Sequence, residues 1–221
     1  MKTLRWLVML TLVLGVALPL SAAPITLLNG GFETGTGNAL GSLGMGLRCT
    51  SAGLCDGGTG GISGWTILGN VDYIQNLWQA AEGLRSVDLT GAVKSPGTWS
   101  GVQQTLTTVP GQLYSVSFYL SGNPDGVPAL KTLTVEAAGT SGIAVFNTSG
   151  ITHADMHWAL TGFNFGATGT STTLVFKTQD SAFGPVIDNV SIAEVPEPAS
   201  LLLLGTGLFA LAGLGRFLRK R

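Results

Sequence analysis

The sequence predicts an all-β domain, a sandwich or barrel, set between two apolar ends that serve export rather than the fold. From Thr66 onward apolar residues recur with a period of two, not 3.6. Turn signals separate these runs about every ten residues, and no convincing amphipathic helix interrupts them. The mean hydropathy of +0.40 has a local source, because only residues 1–22 and 194–221 of the 221 are strongly apolar.

The strands can be justified in order. Tyr114, Val116, Phe118 and Leu120 share one parity, and Ser115, Ser117 and Tyr119 take the other. Leu133, Val135 and Ala137 alternate with Thr132, Thr134 and Glu136. Leu174 and Phe176 alternate with Thr173, Val175 and Lys177. Such runs are half-buried strands. Met156, Trp158 and Leu160 fall on even positions but Phe163 and Phe165 on odd ones, which predicts a β-bulge at Gly162. Pro110-Gly111, Asn123-Pro124-Asp125-Gly126, Gly139–Gly142 and Gly166–Gly169 mark the turns. Residues 35–64 form a long Gly-rich insertion. One domain over residues 23–194 has room for a sizeable core, since folding at this size hides roughly 70% of the chain's surface.

The ends are addresses. Lys2 and Arg5 precede an apolar run from Trp6 to Leu20, and Ser21-Ala22-Ala23 offers small residues to signal peptidase. Residues 1–22 therefore read as a cleavable signal peptide. At the other end, residues 195–221 contain Pro196-Glu197-Pro198, an apolar stretch and the bases Arg216, Arg219, Lys220 and Arg221. Residues 201–218 are near the lower length limit for a transmembrane helix, with the basic cluster kept cytoplasmic. This tail closely resembles the PEP-CTERM sorting signal. The resemblance implies cutting at the motif by an exosortase, a transient inner-membrane intermediate, and delivery to the cell surface or extracellular matrix.

Charge narrows the function. Only 10% of residues are charged, too few for the clustered Lys and Arg of a nucleic-acid binder. Residues 23–193 hold ten acids and five bases, a net charge of −5. In an oxidising compartment Cys49 and Cys55 are expected to pair as a disulfide that staples the Gly-rich stretch.

A family resemblance rests on several motifs. Residues 28–33 read Leu-Asn-Gly-Gly-Phe-Glu, and Gly64-Trp65 follows. Then come Val71-Asp72-Tyr73-Ile74, Trp78-Gln79-Ala80-Ala81-Glu82-Gly83 and Ser86-Val87-Asp88-Leu89-Thr90-Gly91. The series closes with Pro110-Gly111-Gln112-Leu113-Tyr114 and Gly184-Pro185-Val186-Ile187-Asp188-Asn189-Val190. The succession resembles the choice-of-anchor C family across roughly Ile25 to Ala193. It is similar, more distantly, to plant cell-wall proteins with a galactose-binding-like jelly roll and to carbohydrate-binding modules. The resemblance implies a jelly-roll β-sandwich and a binding or matrix role.

Asp188 shares its parity with Val186, Val190 and Ile192, so its side chain is expected to point into the sandwich. A buried carboxylate there needs a partner or a cation. Glu33 is the natural companion. In the similar carbohydrate-binding modules the corresponding Glu and Asp help hold a structural Ca²⁺, a hard cation that takes six to eight oxygens. The competing reading gives Asp188 backbone hydrogen bonds and no metal. His153, Asp155 and His157 alternate on one expected strand face, a spacing able to bind a transition metal, although polar residues belong on a solvated face anyway. Asp72, Glu82 and Asp88 are the carboxylates a glycosidase would need, but the sequence brings no two of them together. No catalytic triad or nucleophile elbow is present, so the expectation is a non-enzyme. Trp65 is expected in the core, whereas Tyr73, Trp78 and Trp99 lie near loops where rings can stack on sugars. The expected function is an exported, non-catalytic binding module for extracellular polysaccharide. The alternatives are a structural or adhesive matrix protein with no small ligand, and then a glycoside hydrolase.

Overall fold

The computed structural model describes residues 25–35, 61–91, 97–196 and 205–207, and the backbone of 47–50. Two antiparallel sheets pack face to face as a jelly-roll sandwich. The first runs in the order β1 (Leu47–Thr50), β3 (Asn70–Gln75), β4 (Arg85–Asp88), β11 (Pro185–Glu194), β6 (Leu113–Gly122), β9 (Ala159–Gly166). The second runs β2 (Thr66–Leu68), β5 (Ser100–Thr107), β10 (Ser171–Thr178), β7 (Leu130–Ala137), β8 (Thr140–Asn147).

Alternation along the strands decides what lies between the sheets. Val116, Phe118, Leu133, Leu174 and Phe176 are all fully buried there. Aromatic rings bridge the layers: Trp65 lies 5.2 Å from Phe32 and 6.1 Å from Phe176, which meets Phe118 edge-on at 5.1 Å. Such pairs add to the large apolar area each ring removes from water. The β7–β8 hairpin closes through Ala138 and Gly139, both at positive φ (49° and 79°), as a two-residue turn of primed type requires. The opening segment joins the five-stranded sheet through a side chain. Gln104 Nε2 donates to Leu28 O at 2.9 Å, and its Oε1 accepts from Leu28 N at 2.7 Å.

Two sequence expectations need correction. β9 pairs with β6 in unbroken register from Ala159 to Gly166, so there is no bulge at Gly162. The parity change arises because Met156 and Trp158 precede the strand and pack elsewhere. The register shift lies instead in β11, between Asp188 and Ser191, where Asn189 takes a φ of +46°.

That bulge overturns the inward placement of Asp188. Ile187 and Val190 belong to the core between the sheets. Val186 belongs to a second cluster with Ile74, Trp78, Ile151 and Met156, on the opposite face of the six-stranded sheet. Asp188, two residues from Val186, points to that same outer face.

The signal segment 1–22, Cys55 and most of the insertion 35–64 lie outside the described residues, as does the side chain of Cys49. Most of 201–218 does too; Gly205–Gly207 are helical, and among the described residues no helix is long and apolar enough to cross a membrane.

The aromatic bridge makes a direct prediction. Phe176→Ala should cost about 3–5 kcal/mol, the loss typical of a large buried ring. Val175→Ala, one residue away on the half-buried outer side, should cost under about 1.5 kcal/mol. Urea unfolding of the two variants against the parent checks the contrast; equal losses would place the core elsewhere.

Candidate functional site

Three regions bring chemistry-bearing side chains together. The first is the covered outer face of the six-stranded sheet. Asp188 has no exposed surface, and its Oδ2 accepts the amides of Ala81 at 2.8 Å and Glu82 at 3.0 Å. Its Oδ1 accepts the amide of Asn189 at 2.6 Å. Glu33, exposed at the rim, grips the same segment from the other side, its Oε1 accepting from Leu84 at 2.8 Å and Arg85 at 2.9 Å. Gly83 sits between the two grips at a φ of +65°, and a Cβ there would fall 2.3 Å from Glu33 Oε1. Burial pushes the Asp188 carboxyl up to about 7 against the pull of those amides, and the Glu33 charge adds to the rise. Beside the pair opens a cleft of about 610 Å³, lined in part by Gly31, Glu33, Glu82, Asn189 and Ser191.

Glu33 lines this cleft, whereas Asp188 is fully buried and only its neighbour Asn189 reaches the lining; both carboxylates are hard-oxygen donors of the kind calcium takes. Each has one oxygen engaged by two amides of the 81–85 segment, while the other carries at most the neighbouring Asn189 amide. The residues fit the cation in kind. Among the described residues no group of three or more His, Cys, Asp or Glu is placed to hold a metal unaided, so carbonyls would have to complete the shell.

The second region is the end of the sandwich around Asp88. Its Oδ1 accepts from Thr90 N and Thr90 Oγ1, both at 2.9 Å, and from Gly184 N at 3.2 Å. Its Oδ2 accepts from Asn123 Nδ2 at 2.8 Å. Register places Asp72 directly opposite Asp88, so the fold does juxtapose two of the carboxylates a hydrolase would use. Asp88 has no exposed surface, however, and four donors saturate it. It ties β4 to the ends of β6 and β11 and is closed to substrate. Glu82 is exposed on the 81–85 segment and is not brought to them.

The third region is the outer face of the five-stranded sheet, which nothing described covers. Lys177 Nζ stands 4.4 Å from the centroid of the Trp99 ring and 2.7 Å from Glu136 Oε2. Trp99 is 43% exposed. Beside Glu136 a groove of about 380 Å³ runs between the β7–β8 turn, Thr173 and Val175. Gln103, Thr105, Thr132 and Thr134 share this face, with Thr105 and Thr173 hydroxyls 3.2 Å apart.

Of the three aromatic candidates only Trp99 is available to a ligand. Tyr73 is fully buried, its hydroxyl donating to Phe32 O, and burial raises it to about 12. Trp78 is 5% exposed and donates from Nε1 to Ser86 Oγ at 2.9 Å. The histidines do not lie on a strand face. His153 pairs with Asp125 at 2.7 Å and His157 with Asp155 at 3.1 Å, each next to a turn rather than around a shared metal position. The sequence missed Lys177 and Glu136, whose only signal is outward parity on neighbouring strands.

Fold and tail together define an exported β-sandwich protein with a C-terminal sorting signal. Residues 26–193 match the family described as "Protein of unknown function (DUF642)", and residues 194–221 match the PEP-CTERM protein-sorting motif. The chain belongs to the DUF642 family. That match covers the span of the choice-of-anchor C resemblance without supporting its name. Halomucin of Haloquadratum walsbyi is 31% identical over 142 residues, which are 62% of this chain and 1% of that one. The chain thus spans about a hundredth of the length of this curated relative. Among solved structures, an arabinose-bound MgGH51 α-L-arabinofuranosidase superposes with a TM-score of 0.51 at 14% identity, covering 77% of this chain and 26% of that one. The CBM22-1 xylan-binding domain of Paenibacillus barcinonensis Xyn10C gives 0.43 at 20% identity, covering 71% and 99%. The former likeness is one of fold alone.

Asp88 gives a pH signature. Desolvation lifts its carboxyl to about 6, against the opposing pull of its four donors. The folded state therefore holds this proton more tightly than the unfolded chain, whose aspartates titrate near 4. The Asp88 contribution to stability should be full below about pH 4 and fall by up to about 1.4 kcal/mol per unit toward pH 6. Asp188 should extend the fall toward 7. Urea midpoints from pH 4 to 8 for the parent and Asp88→Asn check this; a variant with an undiminished slope would assign the titration elsewhere.

Proposed function

We propose that this protein is an exported, non-catalytic binding module for extracellular polysaccharide, with the ligand lying across the outer face of the five-stranded sheet. The observation that carries the reading is the exposed Trp99 ring, set beside Lys177, Glu136 and an open groove on a face lined by hydroxyls and amides. An indole supplies the apolar plane on which a sugar stacks, and the flanking groups supply orienting hydrogen bonds. The hydroxyl-rich surroundings also favour a second reading, a structural or adhesive matrix protein. Lys177 lies over the ring and must shift, or leave the opposite ring face free, for a sugar to stack. Signal peptidase and an exosortase are the processing partners this reading takes.

Trp99→Ala should weaken binding to the preferred polysaccharide by about five- to thirtyfold, the loss of a stacked ring being worth about 1–2 kcal/mol. The unfolding midpoint should move little. A glycan array on the exported protein, followed by affinity titration of parent and variant, decides it. If no glycan binds either protein, the matrix reading stands.

A structural Ca²⁺ at Glu33 and Asp188 is part of the proposal. It would neutralise two carboxylates that grip the 81–85 segment from either side, and lock that segment onto β11. A cation binding only the folded state at a hundredfold excess over its Kd adds about 2.7 kcal/mol. Chelation should lower the melting temperature, and Asp188→Asn should erase the difference. Identical midpoints with calcium and with chelator would leave Asp188 as a carboxylate held by amides alone.

A further inference from the structure

We propose that the protein self-associates through the edge strand β8, two copies pairing antiparallel about a two-fold axis at Ala144 to form one continuous ten-stranded sheet. Edge strands expose unpaired backbone donors and acceptors, and stable monomers blunt them with Lys, Pro, bulges or very short length. β8 has none of these devices. Its eight residues, Thr140-Ser-Gly-Ile-Ala-Val-Phe-Asn147, carry no charge and no proline, and they pair with β7 in unbroken register. None of them is buried.

The apolar pattern of β8 is what commits the partner to a second copy. Ile143 is 73% exposed and Val145 57%, and they stand one residue to either side of Ala144 on one face. A two-fold axis at Ala144 sets Ile143 opposite Val145 of the second copy, and the reverse. The alternation then matches by symmetry, as a closed isologous dimer demands. Leu130 on β7, 56% exposed on the same face, flanks them, so six apolar side chains would form one patch across the junction. A net charge of −5 over residues 23–193 repels copies in most orientations, whereas an uncharged strand meets itself without that cost.

The other edges fit less well. β2 is three residues long. β9 turns Leu160, Gly162 and Asn164 outward, a single large apolar side chain with no symmetric partner. β1 closes the far side of the other sheet. The proposal is independent of any sugar ligand. If both hold, pairing doubles the width of the open face.

Sedimentation velocity of the exported protein, in mild detergent to suppress association through apolar termini, reads the oligomeric state. A monomer–dimer equilibrium is expected. The double variant Ile143→Lys/Val145→Lys should weaken it at least tenfold, because like charges then meet across the axis. Both side chains are mostly exposed, so the unfolding midpoint should hold. Cysteine cross-linking tests the register separately. Ala144→Cys brings two thiols face to face, about 4.5–5.5 Å between Cα atoms, within disulfide reach. Ser141→Cys leaves them roughly 20 Å apart. Covalent dimer from the first and not the second supports the axis. A monomer at every soluble concentration, a dimer indifferent to the two lysines, or equal cross-linking at both positions would overturn it.

Discussion

A buried carboxylate must be given hydrogen-bond donors, and Asp188 imposes that demand at the middle of the six-stranded sheet. The 81–85 segment meets it with main-chain amides, and Glu33 holds the rest of the same segment from the opposite side. Once anchored, this stretch and the one before it cover the sheet. Trp78 packs with Ile74, Met156 and Val186 into a second apolar cluster outside the main core. The β11 bulge serves both layers, since it lets one strand send Asp188 outward and Val190 inward within three residues. Losing the carboxylate would therefore release a loop and expose an apolar layer, not remove a pair of hydrogen bonds alone.

Among the described residues, covering one sheet leaves the other as the open surface. The acids are distributed accordingly. Glu33, Asp72, Glu82, Asp88 and Asp188 belong to the covered sheet or its overlying segment. The outer face of the five-stranded sheet holds Glu136, and that is neutralised by Lys177 at 2.7 Å. Anything lying on this face thus meets hydroxyls, an amide, an indole, one closed ion pair and, toward the β8 edge, the apolar side chains of Leu130, Ile143 and Val145.

Much of this was legible in the sequence, because period-two alternation reports directly which side chains face the core. Val116, Phe118, Leu133 and Phe176 are where their parity puts them. Parity fails where the backbone departs from regular extension, and a single residue of positive φ at Asn189 was enough to misplace Asp188. The apparent bulge at Gly162 has the converse cause: Met156 has the parity of a strand residue but precedes the strand, which starts at Ala159. Tyr73 and Trp78 look like loop aromatics, and nothing local announces that the main core will bury the first and a second layer the other. Pairing across strands is also silent in one dimension. The meeting of Asp72 with Asp88, and of Lys177 with both Trp99 and Glu136, follows only from register.

The carboxylates also show why proximity is not chemistry. Asp72 and Asp88 face each other on adjacent strands, and the Asp88 carboxyl is lifted to about 6, a combination that resembles an acid–base pair. A general acid must reach the atom it protonates. Asp88 cannot, since no solvent reaches it and its oxygens are held by donors on three segments. Its raised value records the cost of burying a charge, and its partners record what the fold gains in return: β4, β6 and β11 locked together at one end of the sandwich. A perturbed carboxylate in this fold marks a structural junction, and the search for ligand contacts belongs on the face where the side chains are free to move.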